Sequence, residues 1–237
     1  MTPILFALMA AAGNLAGAIA VVRHQRREMR LIERFIAFGA GFMAATVLVG
    51  MLPEALTRPG AAYYVLAGYL AVHLAQHVLT PHFHFGEETH RLSSGAGLSA
   101  LAGLSLHTFF DGVAIASGFL VSGRLGMLLF LAVFLHKLPE GVTIASVMLA
   151  GGGGRRRALA AATALGLATV LGVLLTEVAR PLVDHGLALS AGVTLYVAAS
   201  DLVPAFQAKR GWPVALAFFG GAAAFLLTSV LLGRWVG

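Results

Sequence analysis

His107-Thr-Phe-Phe-Asp111-Gly-Val-Ala-Ile-Ala-Ser117 and His136-Lys-Leu-Pro-Glu140-Gly-Val-Thr-Ile-Ala-Ser146 are two copies of one phrase, set in neighbouring apolar segments. His, Gly, Val, Ile, Ala and Ser coincide, and Asp is matched by Glu. Each copy puts an imidazole and a carboxylate four residues apart, so on a helix both project from one face. The phrase is therefore a pair of metal-binding groups placed inside a hydrophobic span.

Outward from these copies the chain stays apolar. It is 59% hydrophobic and 11% charged over 237 residues, leaving too little polar surface for a water-soluble domain of this length. Eight runs are each long enough to cross a bilayer as a helix: roughly 4–22, 35–56, 62–80, 98–121, 125–150, 158–179, 187–206 and 212–236. Short breaks rich in Arg, Gly, Pro or Ser separate them. The runs are continuously apolar rather than alternating, which argues against a β-barrel. The expected fold is all-α: one polytopic transmembrane domain over 1–237, with eight helices. The first run has no basic residue before it and no cleavage site after it, so it reads as a retained helix. Cysteine is absent, which excludes disulfides and thiolate metal sites.

The net charge of +6 is not a nucleic-acid signal, because its distribution follows topology. Eleven of the sixteen Lys and Arg fall in the loops after spans one, three, five and seven, four lie on the opposite side, and Lys137 lies within a span. The positive-inside rule makes the richer side cytoplasmic. Both termini then face outward and the 81–97 loop faces the cytoplasm.

The fourth and fifth spans run in opposite directions around Ser122-Gly123-Arg124, so the two His/acid pairs share one depth near mid-membrane. A motif repeated on antiparallel helices implies a pseudo-two-fold axis in the membrane plane. Imidazole and carboxylate together suit Zn²⁺, Fe²⁺ or Mn²⁺, and the lack of sulfur argues against Cu(I). A polar network that only glues two helices is the plainer alternative, but two matched pairs favour metal. Pro139 has no N–H, so the carbonyl of Leu135 loses its helical partner and a kink is expected just before Glu140. Gly112 and Gly141, directly after the acids, read as sites of close helix approach, as do Gly13, Asn14 and Gly17 of the first span.

Together, His107-Thr-Phe-Phe-Asp111-Gly and His136-Lys-Leu-Pro-Glu140-Gly resemble the fourth- and fifth-helix signatures of the ZIP (Zrt/Irt-like) metal transporters. The likeness extends over the whole chain. It implies an inverted 3+2+3 repeat and a metal site between helices four and five, made of His107, Asp111, His136 and Glu140. It also implies import of Zn²⁺ and related ions by movement of helices 1, 4, 5 and 6 against helices 2, 3, 7 and 8. Met43, on the second helix, stands where a relative can add a thioether.

The family's second metal site is altered. Its three extra ligand positions hold Thr108, Lys137 and Thr169, the last matched through Gly166-Leu-Ala-Thr169-Val-Leu-Gly172. A protonated lysine binds no metal. Lys137 is therefore expected to act as a tethered cation where the second ion would sit, keeping Asp111 and Glu140 ionised.

Weaker signals lie elsewhere. His73 and His77 are four apart and lead into Pro81-His82-Phe-His84-Phe-Gly-Glu87-Glu88-Thr-His90, with the composition of a weak metal-binding loop. These five histidines mark an expected exit path or cytoplasmic metal-handling loop. Pro53-Glu54 and Asp201-Leu-Val-Pro204 loosely echo each other, while Glu177, Asp184 and His185 could draw cations to the outer face. Gly151–Gly154 before Arg155–Arg157 lacks the Lys-Ser/Thr of a phosphate loop and reads as a turn with a charge anchor.

The expected function is import of a divalent cation, foremost Zn²⁺, with Fe²⁺, Mn²⁺, Co²⁺ and Cd²⁺ unranked. The metal is cargo and no cofactor is expected. The other classes are an intramembrane metalloenzyme, for which His-Glu-x-x-His is missing, and a metal-sensing membrane protein. The setting is a multi-pass plasma membrane protein, of bacterial inner-membrane type. Partners are metal ions and the bilayer, not nucleic acid; the sequence permits a homodimer without specifying one.

Overall fold

The computed structural model describes residues 3–23, 29–76, 96–203 and 212–235. Described residues are almost wholly helical, with no strand among them. In chain order the helices are α1 (Pro3–Arg23), α2 (Met29–Ala45), α3 (Ala61–Leu74), α4 (Ala96–Val121), α5 (Gly123–Ala150), α6 (Arg155–Val178), α7 (Arg180–Tyr196) and α8 (Trp212–Trp235). Seven helical stretches are long and apolar enough to cross a bilayer, and α3 is a shorter apolar helix in its described part. The protein is an all-α, polytopic membrane protein. Large apolar side chains such as Leu216, Phe219 and Leu227 point outward, the reverse of a soluble fold.

Boundaries follow local chemistry. Ser122, with extended backbone, accepts the Leu125 N–H at 3.1 Å and caps α5. At the other end of α5, Gly152 takes φ 80°. The Gly153 N–H donates to the Met148 carbonyl at 2.8 Å, and Gly152 N–H to that of Leu149 at 3.1 Å. This Schellman closure accounts for the glycine run as a helix stop. The seventh helix begins earlier than the expected 187: Pro181 in its first turn starts it at Arg180, so Asp184 and His185 are helical.

Two π-helical segments extend helices: Thr46–Met51 continues α2 into the short turn Leu52–Ala55, and Val197–Leu202 continues α7. Each ends with an N–H reaching five residues back, Leu52 to Val47 and Val203 to Ala198. Pro53 stands just beyond the first, where a missing N–H prevents a regular ladder and a wider turn absorbs the mismatch.

In lipid there is little hydrophobic drive between helices, so small residues that let backbones touch decide the packing. Four helix pairs use reciprocal glycines. A Cβ on Gly17 or Gly141 would overlap the Leu138 or Asn14 carbonyl, fixing α1 on α5. Gly112 and Gly172 do the same against Thr169 and Phe109, joining α4 to α6. Gly41 and Gly221 join α2 to α8 against Phe218 and Phe38, and Gly68 and Gly192 join α3 to α7 against Leu189 and Val65. Exchanging helices 1 with 6, 2 with 7, 3 with 8 and 4 with 5 maps these pairs onto one another, as an inverted repeat requires. α1, α4, α5 and α6 pack mutually, while α2 with α8 and α3 with α7 form the remainder. The two groups meet through α4 on α7 and α2 on α5.

Candidate metal centre

Antiparallel packing of α4 on α5 brings both motif copies to one level. One ligand atom each from His107, Asp111, His136 and Glu140 lies within 4.8 Å of the others, and all four residues are buried. No other group of three or more His, Cys, Asp or Glu converges in this way among the described residues.

The hydrogen bonds fix what each group presents. His136 Nδ1 lies 2.9 Å from the Ala132 carbonyl, which can only accept, so Nδ1 carries the proton and donates. In the neutral ring Nε2 then presents a lone pair, and it faces Asp111 Oδ2 at 3.1 Å. A lone pair opposed to a carboxylate oxygen needs a cation between them, either a proton or a metal. His107 Nε2 is 3.5 Å from Asp111 Oδ2 and 3.8 Å from Glu140 Oε2, and neither of its ring nitrogens has a hydrogen bond.

Lys137 is fully buried, with Nζ 2.7 Å from Asp111 Oδ2 and 2.6 Å from Glu140 Oε2. Its stem does not run to the membrane surface; its ammonium bridges both acids, so the motif's two carboxylates already share one positive charge. Thr108 donates to the other Glu140 oxygen, Oε1, at 2.6 Å, which orients that carboxylate. Thr169 is buried with its hydroxyl unpartnered, on the turn of α6 that packs against Gly112. Pro139 lies inside a helix that continues past it, and the Leu135 carbonyl it releases faces Gly39 of α2.

The remaining expected residues are dispersed. Met43 is buried and lines a small cavity with Asp111, Thr46 and Thr194. His73 lies beyond the centre, edge-on to Tyr196 with ring centroids 5.9 Å apart. His77, His82, His84 and His90 lie outside the described residues, as does the acidic part of that loop. Asp184 and His185 share an opening with Glu54, which Glu177 does not line. Sequence reading assigned no partner to Asp201: Gln76 Nε2 donates to its Oδ2 at 2.9 Å, across α3 and the π-helical end of α7. It also read Asn14 only as a small residue; its buried amide has no partner, and an amide within an apolar run was the available signal.

The family model described as ZIP Zinc transporter matches residues 86–231, which include both motif copies. The chain is 31% identical over 219 residues to "Zinc transporter ZupT" of Enterobacter sp. (strain 638), covering 85% of each chain. It is 28% identical to the protein of that name from Salmonella heidelberg (strain SL476), covering 86% of each. Mouse "Zinc transporter ZIP4" is 33% identical over 141 residues, which is 56% of this chain but only 20% of that protein. The chain thus aligns with about a fifth of its mammalian relatives and with most of the bacterial ones. With a family match over more than half its length that includes the helix pair carrying both His/acid phrases, the chain belongs to the ZIP zinc transporter family.

Proposed function

We propose that this protein imports divalent cations, with Zn²⁺ as principal cargo, through a centre made of His107, Asp111, His136 and Glu140. The observation that carries the reading is the orientation of the His136 ring among the four converging ligand atoms. Its Nδ1 is committed to the Ala132 carbonyl, which leaves Nε2, facing Asp111 at 3.1 Å, as the nitrogen that can take a metal once it carries no proton. The relatives' names, zinc transporters, support the same cargo.

One metal is held at a time. With Lys137 between the acids the centre carries a net charge of −1, and a bound Zn²⁺ brings it to +1. A second dication would meet that charge in a poorly screened interior. The ammonium also weakens the hold on the first ion, which suits a carrier that must release its cargo. Transport proceeds by alternating access: α1, α4, α5 and α6 shift as a body against α2, α3, α7 and α8. The packing of helices into these two groups supports that division. Met43 lines the cavity beside Asp111 and is available as a further ligand in another state. His73, with the histidines of the 77–90 segment, receives metal on the cytoplasmic side. The protein sits in a bacterial inner membrane with both termini outside, following its loop charges.

The test is uptake of radioactive zinc into proteoliposomes by wild type, His107→Ala and Glu140→Ala. Entry with wild type, abolished in both variants, is expected. Zinc binding without entry would refute transport and turn the assignment to a sensor or an intramembrane metalloenzyme.

A further inference from the structure

α4 and α6 touch closely at Gly112 and Gly172, yet leave a cavity of about 420 Å³ near their N-terminal ends. Leu98 and Leu101 of α4, Met148 of α5, and Ala160 and Ala161 of α6 line it. No Asp, Glu or His is among its lining residues. Small residues make the room: Gly151 and Gly153, where the chain turns from α5 into α6, complete the wall begun by the two alanines. The cavity is open at its rim, where Leu98 is 68% exposed and Ala160 is also exposed.

Arg157 borders this cavity, next to Arg155 and Arg156 in the first turn of α6. All three are exposed. None has a carboxylate partner among the described residues. Two arginines at the opposite end of the bundle differ: Arg58 donates to the Asp184 carbonyl, and Arg124 donates to the Ser229 hydroxyl at 2.7 Å. The loop charges mark the Arg155–Arg157 end as cytoplasmic, the level at which phospholipid headgroups meet water. Three uncompensated cations beside an apolar cavity fit a ligand with an anionic head and a hydrocarbon tail. A soluble anion would leave the apolar walls unfilled, and an uncharged apolar molecule would gain nothing from the arginines.

We infer that this cavity seats an acyl chain of one anionic phospholipid, whose phosphate is held by Arg157 while Arg155 and Arg156 add positive charge beside it. A guanidinium suits the task because its fork of N–H donors matches two phosphate oxygens at once. The chain gains by covering Leu98, Leu101 and Met148, and a zwitterionic lipid offers the same chain, so the arginines decide the preference between headgroups. Each basic residue at a membrane surface favours an anionic lipid by about fivefold, which sets a ceiling of about a hundredfold for three. All the lining helices belong to the group α1, α4, α5 and α6, so the lipid is seated on that group and does not bridge to the other.

The experiment is native mass spectrometry of the whole chain in detergent, titrated with dioleoyl phosphatidylglycerol or dioleoyl phosphatidylcholine. Wild type is expected to bind one phosphatidylglycerol at least about tenfold more tightly than phosphatidylcholine. Arg155→Ala/Arg156→Ala/Arg157→Ala should lose that preference. Ala160→Trp, which fills the cavity from its exposed side, should weaken both lipids by about tenfold and keep the preference. Zinc binding equal to wild type certifies the fold of each variant, and Leu98→Gln at the exposed rim replaces Ala160→Trp if that protein does not fold. No preference in wild type, or a preference that survives loss of the three arginines, overturns the proposal. So does phosphatidylglycerol binding that a folded cavity variant leaves unchanged. Displacement of the lipid by an equal concentration of glycerol phosphate would make this a site for free phosphate instead. Lipid bound by Glu87→Gln/Glu88→Gln protein but not by wild type would give the cavity to the chain's own acidic loop, and overturn the lipid assignment too.

Discussion

Replacing Lys137 by Asp should change the number of metals the protein holds. The Lys137 ammonium sits 2.7 Å from Asp111 Oδ2 and 2.6 Å from Glu140 Oε2, between the two acids. Paired metals that share carboxylates lie about 4 Å apart. A second Zn²⁺ about 4 Å from a fixed ammonium would be repelled by roughly 8 kcal/mol at an effective dielectric of about 20. Even halved for relaxation, about 4 kcal/mol is close to a thousandfold in affinity. In Lys137→Asp the repulsion becomes an attraction of similar size, and the centre passes from −1 to −3 before metal enters. Wild-type protein purified in detergent, dialysed against zinc and counted by mass spectrometry should hold one zinc per chain at this centre. Lys137→Asp should hold two. Lys137→Met removes the charge without adding a ligand; it should hold one zinc, at least tenfold tighter, and turn over more slowly. Two zincs at the wild-type centre, or one in a folded Lys137→Asp protein, would refute the tethered-cation reasoning.

Thr108→Val removes the 2.6 Å bond that orients Glu140 and should weaken zinc binding by about ten- to a hundredfold, read by competition with a zinc chelator. Gly141→Ala drives a methyl into the Asn14 carbonyl and should destabilise the α1–α5 contact by about 1–3 kcal/mol; Gly154→Ala, with open space around it, should cost less than about 1. Fluorescence-detected thermal melts in detergent check the pair. Zinc affinity should fall on acidification, because an imidazole protonated on both nitrogens has no lone pair for metal; equal affinity at pH 7.5 and 5.5 would remove the histidines from the ligand set.

Much of the architecture was legible without coordinates because lipid imposes simple rules. A helix must satisfy its own backbone and needs about twenty apolar residues to cross, so length and composition mark the spans. The repeated phrase marked the centre because periodicity alone puts His107 with Asp111, and His136 with Glu140, on common faces. Gly17, Gly112 and Gly141 were legible as contact points, since lipid-embedded helices associate through small residues. Their partners were not: nothing in the order of residues says that Gly141 meets the carbonyl of Asn14 or Gly112 that of Thr169.

The sequence by itself determined an all-α membrane protein with two matched imidazole–carboxylate pairs at one depth. Those features depend on local periodicity and on hydropathy summed over each span. Tertiary structure alone decided where Lys137 points, which hydroxyl orients Glu140, and that Ser117 stays unpartnered while Ser146 does not. It also decided the early start of α7 and the opening shared by Glu54, Asp184 and His185. These depend on distances between helices far apart in the chain, set by glycine-to-carbonyl contacts that lock helix pairs in register. A side chain's neighbours across such a contact are fixed by three-dimensional packing, and no spacing along one strand of sequence encodes them.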